Sequence, residues 1–157
     1  MTIPATTLIV IGALVLIILL WHLFEFTWDN RQFKRRENGS FAKNLHTTGA
    51  LRIFKQETEL TPVDVRPSEQ FHKVHLPGAV NAPFEDGKLD TKGIAELDRS
   101  KPILLYCEGG YRSRRALPAI LEDGFTEVYH INRGIKMWRF FGGASETPDP
   151  STTPDAS

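Results

Sequence analysis

The N-terminal apolar segment limits what this chain can fold into more than any other feature. Residues 8–21, LIVIGALVLIILLW, contain no charged side chain. Extended to residues 3–26, the segment would form a helix of roughly 36 Å, enough to cross a bilayer core of about 30 Å. Three alternatives fit such a segment: a membrane anchor, a buried core helix and a cleaved signal peptide.

The charges around this segment favour a retained anchor. A signal peptide has basic residues ahead of its apolar core and a small-residue cleavage site behind it, and neither is present here. Four basic residues follow the segment instead: Arg31, Lys34, Arg35 and Arg36. The positive-inside rule keeps this flank in the cytoplasm, with Trp21 and Trp28 at the interfaces. We therefore expect residues 1–27 to anchor a single-pass protein, N-terminus outside, in a bacterial inner membrane.

The overall charge and the cysteine count restrict the possible partners. Nineteen basic and nineteen acidic residues give a formal net charge of zero, so no global field favours nucleic acid. The single cysteine, Cys107, excludes an intramolecular disulfide, and the five histidines show no metal-ligand spacing. A free thiol suits a reducing compartment. We expect no metal site.

Composition divides the rest of the chain into three parts. Residues 28–49 are a basic flank followed by a polar stretch without helix or strand periodicity, which predicts a linker. Residues 144–157 contain three prolines and no aromatic residue, which predicts disorder. Residues 50–143 carry enough apolar side chains for one folded domain.

Within that domain, short apolar runs alternate with segments of helical pattern. The predicted strands are residues 63–65, 79–82, 103–106 and 128–131. One predicted helix starts at Ser68, and three further helical segments are predicted over residues 94–97, 113–122 and 134–141. The run ILLY at 103–106 is apolar on both faces, which indicates a central parallel strand. The fold class is therefore α/β, with a mainly parallel sheet flanked by helices.

The lone cysteine lies where such sheets bind ligands, between the end of a strand and the start of a helix. Cys107 follows the run ILLY and precedes Glu108, Gly109, Gly110, Tyr111, Arg112 and Ser113. The glycines permit positive φ angles and leave backbone N–H groups accessible, so the loop can form an anion nest beside a helix N-terminus. Such surroundings stabilise a thiolate, the nucleophilic form of cysteine. Arg112 can bind an anion bidentately, and the Ser113 hydroxyl can cap the helix or donate toward sulfur.

A structural role for Cys107 is the alternative, because buried cysteine packs as a small apolar residue. The combination of strand, cysteine, glycine-rich loop, Arg-Ser and helix favours catalysis, because a core cysteine needs none of these neighbours. Arg114 and Arg115 are expected on a solvated helix face.

At these residues the sequence resembles the rhodanese family of sulfurtransferases. CEGGYRS at 107–113 is similar to the C-x-x-G-x-R-S active-site loop of single-domain rhodaneses. Three further motifs match in order: Asp64-Val-Arg66, His75-Leu-Pro-Gly-Ala-Val-Asn81, and Gly124-Phe125 with the spacing from Gly134 to Trp138. The resemblance covers about residues 61–138 and implies a three-layer rhodanese-like domain.

The resemblance implies that Cys107 carries sulfur as a persulfide, without a metal or organic cofactor. A donor such as thiosulfate would supply the sulfur, and a thiol, cyanide or sulfur-carrier protein would accept it. Asp64, Arg66 and His75 would support the site by pairing and hydrogen bonding, His75 not as a base.

The sequence departs from the family pattern at three positions. Arg133 replaces the first glycine of a pair, Pro118 falls inside a helix, and Glu108 puts a negative charge beside the nucleophile, where it is expected to repel anionic donors.

Two other functions are alternatives to sulfur transfer. A membrane-tethered binding or sulfur-relay module would use the same residues with little turnover of small molecules. A phosphatase would use a C-x5-R loop, whereas Cys107 and Arg112 form the shorter C-x4-R. The smaller loop favours a persulfide over a phosphoryl group.

Overall fold

The computed structural model describes residues 4–33, 36 and 39–147. The chain forms two compact units, Met1–Lys34 and Arg35–Ser157. The boundary between them falls within the basic flank. Of the predicted membrane-flanking residues, Lys34 and Arg35 and the side chains of Trp28 and Arg31 lie outside the described residues.

The first unit is one helix, α1 (Ala5–Gln32). Its stretch Thr6–Phe24 is long and apolar enough to cross a membrane, and none of it is buried in the described part of the chain. Its large apolar side chains are at least half exposed in the described residues from Leu8 to Phe24.

The second unit alternates strands and helices. The strands are β1 (Phe41–Leu45), β2 (Thr61–Asp64), β3 (Val80–Asn81), β4 (Phe84–Glu85), β5 (Lys88–Leu89), β6 (Ile103–Tyr106) and β7 (Glu127–Ile131). The helices are α2 (Thr47–Gln56), α3 (Ser68–Phe71), α4 (Tyr111–Glu122) and α5 (Gly134–Phe140), with a 3₁₀ turn at Lys92–Ile94. Strand β6 has the same bounds as the predicted central strand, residues 103–106. Helix α4 continues through Pro118.

Five strands form one sheet in the order β1-β7-β6-β2-β3, and every neighbouring pair is parallel. The prediction of a mainly parallel α/β sheet is confirmed. Strands β4 and β5 form a separate antiparallel hairpin. The carboxyl ends of β6 and β2 therefore lie side by side at one edge of the sheet, where Cys107 and Asp64 are found.

Helices pack on both faces of the sheet. On one face, Leu104 and Tyr106 of β6 share a buried cluster with Ala50 of α2 and with Ile135 and Trp138 of α5. Alternate residues of a strand point to opposite faces, so Ile103 and Leu105 face the other layer. That layer contains α4, whose buried side chains are Ser113, Ala116, Leu117, Ile120 and Leu121.

The predicted linker over residues 28–49 is wrong for its second half. Phe41–Leu45 forms the edge strand β1, which pairs with β7, and α2 begins at Thr47. Ala42 and Leu45 are buried on opposite faces of the sheet while Lys43 is exposed, so the strand alternates only in part. Because its apolar residues Phe41, Ala42 and Leu45 do not alternate with polar ones, hydrophobic periodicity did not reveal the strand.

The predicted disordered tail began at Ala144, and residues 144–147 are among the described residues. Glu146 forms an antiparallel bridge with His75, and Ala144 accepts a hydrogen bond of 2.8 Å from Trp138 Nε1. The folded unit therefore extends beyond residue 143. Residues 148–157 of the predicted tail lie outside the described residues.

We predict that residues 36–147 fold cooperatively and that residues 50–147 are less stable by roughly 3 kcal/mol or more. The shorter fragment loses the β1–β7 ladder and the buried side chain of Leu45, which alone is worth about 1.5–3 kcal/mol. Urea unfolding of both fragments, followed by circular dichroism, measures the difference. Equal midpoints and slopes would show that β1 contributes nothing.

Candidate active site

Cys107 lies directly after β6 and is 2% exposed. The loop Glu108–Gly110 connects it to α4, which starts at Tyr111. Cys107 lines an open pocket of about 850 Å³ together with Arg112 and Arg115 of α4 and Glu85 and Asp86 of the β4–β5 hairpin. The predicted nucleophile therefore lines a pocket whose walls carry charges of both signs.

Two donors point at the Cys107 sulfur. The backbone N–H of Gly110 lies 3.2 Å from Sγ, and the Ser113 hydroxyl lies 3.3 Å from it. Gly110 is the N-cap residue of α4 and has φ of +92°, a left-handed conformation that favours glycine. The Ser113 hydroxyl is within hydrogen-bond distance of the sulfur and also of the Gly110 carbonyl oxygen, 3.2 Å away.

The N-terminus of α5 donates hydrogen bonds to the backbone of the active-site loop. The backbone N–H of Ile135 donates to the carbonyl oxygen of Cys107 at 2.8 Å, and that of Lys136 donates to the carbonyl oxygen of Glu108 at 3.1 Å. These bonds satisfy N–H groups that a helix leaves without partners in its first turn. The loop carbonyl groups thus accept hydrogen bonds from the first turn of α5, and the same bonds hold the loop in place.

This close approach depends on Gly134. Its φ is +57°, and a Cβ there would collide with the carbonyl oxygens of Cys107 and Glu108. Arg133 has φ of −112°, which any residue adopts. The arginine that replaces the family's first glycine is therefore accommodated, because only the second position requires glycine.

Asp64 and Arg66 form a buried pair beside the loop. Both Asp64 oxygens accept bonds from the Arg66 guanidinium, at 2.7 to 3.0 Å, and Arg66 Nη2 also donates to the carbonyl oxygen of Val74 at 2.6 Å. Burial opposes the charge on Arg66, but the hydrogen bond and the negative charge of Asp64 outweigh it and raise the pKa of Arg66. Asp64 and Arg66 are 0% and 2% exposed. The carboxylate–guanidinium pairing that the sequence predicted is thus present in the structure.

Arg66 also pairs with Glu108, which the sequence did not predict. Arg66 Nη1 donates to Glu108 Oε2 at 3.0 Å, while the Glu108 side chain stays 58% exposed. The negative charge beside the nucleophile is therefore partly offset by a buried cation. This pair connects the active-site loop to the end of β2.

His75 lies in the turn before β3 and is not among the residues that line the Cys107 pocket. Its Nδ1 donates to the carbonyl oxygen of Phe71 at 3.0 Å, and its ring stacks on the Phe71 ring at 4.2 Å. Its backbone pairs with Glu146. The structure gives His75 the turn-holding contacts that were expected.

Two further polar residues reach the site from the sheet. His130 of β7 is 0% exposed and lies 2.8 Å from the Ser113 hydroxyl, and Asn44 of β1 contacts the opposite ring nitrogen at 2.9 Å. Burial, and then the charge of Arg114, lower the pKa of His130 to about 4. Sequence reasoning missed both residues, although the inward-facing period of β7 could have indicated His130.

The chain belongs to the rhodanese family. The family's model, a rhodanese-like domain, matches residues 36–140. This match begins ahead of β1, in agreement with the structural boundary.

Relatives and solved structures agree with the family assignment. The putative sulfur carrier protein YrkF of Bacillus subtilis is 32% identical over 114 residues, 69% of this chain and 60% of YrkF. Thiosulfate sulfurtransferase GlpE of Pseudomonas savastanoi pv. phaseolicola is 32% identical over 77 residues, 49% of this chain and 70% of GlpE. The solution structure of the rhodanese-like domain from Anabaena sp. Alr3790 protein has a TM-score of 0.59 at 25% identity, covering 73% of this chain and 86% of that one.

The chain spans less than two thirds of the length of several curated relatives that it matches. The family, together with the relatives named as a sulfur carrier and as a thiosulfate sulfurtransferase, supports sulfur transfer in general.

We predict that Gly134→Ala destabilises the domain and slows reactions of Cys107. A left-handed residue that is not glycine costs about 1–3 kcal/mol, and the collision with the loop carbonyls adds to this cost. Thermal unfolding and the rate of Cys107 alkylation measure the two effects.

Gly109→Ala is the matched control, because a Cβ there meets nothing within 4 Å. Equal losses in both variants would contradict the specific role of Gly134.

Proposed function

We propose that this protein is a sulfurtransferase that carries sulfane sulfur on Cys107. The observation that carries the proposal is that Cys107 lines the pocket and that its sulfur faces the Gly110 N–H and the Ser113 hydroxyl. Both donors favour a negatively charged sulfur, because a thiolate accepts hydrogen bonds more strongly than a thiol.

The reaction has two steps that return the starting thiolate. In the first step, the Cys107 thiolate attacks the sulfane sulfur of a donor such as thiosulfate; the S–S bond of the donor breaks, and sulfite leaves with its electron pair. In the second step, an acceptor thiolate or cyanide attacks the outer sulfur of the Cys107 persulfide. The Cys107 thiolate leaves, so no net oxidation of the protein occurs.

The pocket walls fit an anionic donor at one side. Arg112 and Arg115 line the pocket, and a guanidinium group binds an oxyanion through paired N–H groups. Glu85 and Asp86 line the opposite hairpin, so the pocket is not uniformly basic. The pairing of Glu108 with Arg66 reduces the repulsion that Glu108 alone would exert.

We predict that thiosulfate treatment adds the mass of one sulfur atom to Cys107, and that cyanide removes it with release of thiocyanate. Cys107→Ser abolishes both reactions, because Cys107 is the only cysteine. Intact-protein mass spectrometry and a thiocyanate assay measure them. Hydrolysis of an aryl phosphate should stay at the background rate.

The outcomes separate the alternatives. Thiocyanate production by folded Cys107→Ser would contradict the mechanism. A persulfide that forms only from a protein donor would favour the sulfur-relay module. Phosphate release that depends on Cys107 would favour a phosphatase.

We further propose that α1 anchors the protein in a membrane, with the catalytic domain in the cytoplasm. The exposed apolar stretch Thr6–Phe24 and the basic residues that follow it support this proposal. A reducing cytoplasm would also keep Cys107 free. An anchored domain would reach sulfur donors or acceptors at the membrane surface.

We predict that protease added to intact spheroplasts leaves the domain uncut, and that lysis exposes it. The domain should sediment with membranes and be released by detergent but not by high salt. Digestion before lysis would reverse the orientation, and recovery of a soluble domain cleaved after α1 would indicate a signal sequence.

A further inference from the structure

A continuous chain of polar contacts, buried from His130 onward, leads from the sheet to the Cys107 sulfur. Asn44 Oδ1 lies 2.9 Å from His130 Nδ1, His130 Nε2 lies 2.8 Å from Ser113 Oγ, and Ser113 Oγ lies 3.3 Å from Cys107 Sγ. His130 and Ser113 are 0% exposed, and Cys107 is 2% exposed. Water is therefore a poor substitute for the His130–Ser113 and Ser113–Cys107 bonds.

The sheet register builds this chain. Asn44 of β1 and His130 of β7 are direct partners in a parallel ladder, and His130 is the partner of Leu105 of β6. Side chains of paired residues lie on the same face of a sheet, here the face that α4 covers. The fold thus brings three strands and one helix together at the sulfur.

The Ser113 hydroxyl has one hydrogen and three possible acceptors. These are Cys107 Sγ at 3.3 Å, the Gly110 carbonyl oxygen at 3.2 Å and His130 Nε2 at 2.8 Å. If Nε2 carries no hydrogen, it takes the hydroxyl hydrogen through the shortest contact. If Nε2 carries a hydrogen, it donates to Ser113 Oγ and to the Gly110 carbonyl oxygen, 3.2 Å away, and the hydroxyl hydrogen is available to the sulfur.

Asn44 can serve both forms of the ring. Its amide offers an oxygen to a protonated Nδ1, and after a half-turn it offers its NH₂ to an unprotonated Nδ1. The His130 ring is neutral near pH 7, because burial and the charge of Arg114 disfavour its cation. The two forms are therefore tautomers of one neutral ring.

We propose that His130 and Asn44 are positioning residues that direct the Ser113 hydroxyl to the Cys107 sulfur when that sulfur is negatively charged. When the sulfur is a thiolate, it accepts the hydroxyl hydrogen of Ser113. Ser113 Oγ then accepts a hydrogen bond from His130 Nε2–H, and the Asn44 amide turns so that its NH₂ donates to the unprotonated Nδ1. When the sulfur is a neutral thiol, the Ser113 hydroxyl donates its hydrogen bond to His130 Nε2 instead. This proposal rests on the proposed function only in taking Cys107 as the nucleophile.

The test measures ionisation of Cys107 without sulfur transfer. Cys107 is the only cysteine, so the pH dependence of its alkylation by iodoacetamide reports this thiol alone in the full-length chain in detergent. His130→Leu removes the donor to Ser113 Oγ and frees the Gly110 carbonyl oxygen to compete with the sulfur for the hydroxyl hydrogen. The variant should therefore lower the alkylation rate at pH 7 by roughly three- to tenfold, the effect of one weakened hydrogen bond, and move the profile to higher pH. His130→Gln, which keeps an amide near the Nε2 position, should restore part of the rate. The exposed His72, replaced by Leu, is the matched control and should leave the profile unchanged.

A double-mutant cycle separates positioning from packing. If His130 acts through the hydroxyl, His130→Leu should have no further effect in the Ser113→Ala background. An unchanged profile in His130→Leu, or a full additive loss in the double variant, would overturn the proposal. The other charged groups around the sulfur and the ring are kept in every variant: Arg66, Glu85, Asp86, Glu108, Arg112, Arg114 and Arg115.

A second measurement uses the wild-type protein and needs no variant to fold. The ¹⁵N shifts of the His130 ring distinguish its two tautomers, and Nε2–H should predominate when Cys107 is ionised. Alkylation of Cys107 should shift the ring toward Nδ1–H. The same tautomer before and after alkylation would overturn the proposal, whatever the sulfurtransferase assay shows.

Discussion

The bonds between α5 and the active-site loop are the constraint on which the site depends. The loop must place a nucleophile at the end of β6 and still give its carbonyl groups partners. Ile135 and Lys136 provide these partners through the N–H groups that begin α5. Gly134 lets the two segments approach because it has no Cβ. The position of α5, the last helix of the domain, and the position of Cys107 therefore depend on each other.

The buried charges hold the other side of the loop. Removing a guanidinium group from water costs several kcal/mol, which is recovered only when its donors find acceptors in good geometry. Arg66 finds them on Asp64, on the Val74 carbonyl and on Glu108. These acceptors come from β2, from the segment after α3 and from the loop, so the arginine fixes three segments relative to one another. Glu108 is therefore a structural partner as well as a charge on the pocket wall.

The sequence predicted the parts of the fold in which local and tertiary signals agree. The apolar run 103–106 and the glycine-rich loop after it located β6, Cys107 and the start of α4 to within two residues. The edge strand β1 was missed because its sequence, FAKNL, is held by pairing with β7 and has no strong pattern of its own. The short hairpin β4–β5 was missed because its two strands are held by pairing with each other and have no strong pattern in the sequence. The contacts Arg66–Glu108 and His130–Ser113 were missed because sequence gives residue types and spacings, while register and packing decide which side chains meet.

The depth of the sulfur bears on the choice between enzyme and relay. Cys107 is 2% exposed, so a reacting group must enter the pocket between the hairpin and α4. The pocket, of about 850 Å³, is large enough in volume for a small anionic donor, the first of the two proposed functions. A protein donor or acceptor, the second, would have to bring a reacting group into the same pocket. Both proposed functions would therefore use the same nucleophile and the same pocket, and we expect the charged residues on its walls, Arg112 and Arg115 with Glu85 and Asp86, to select among donors.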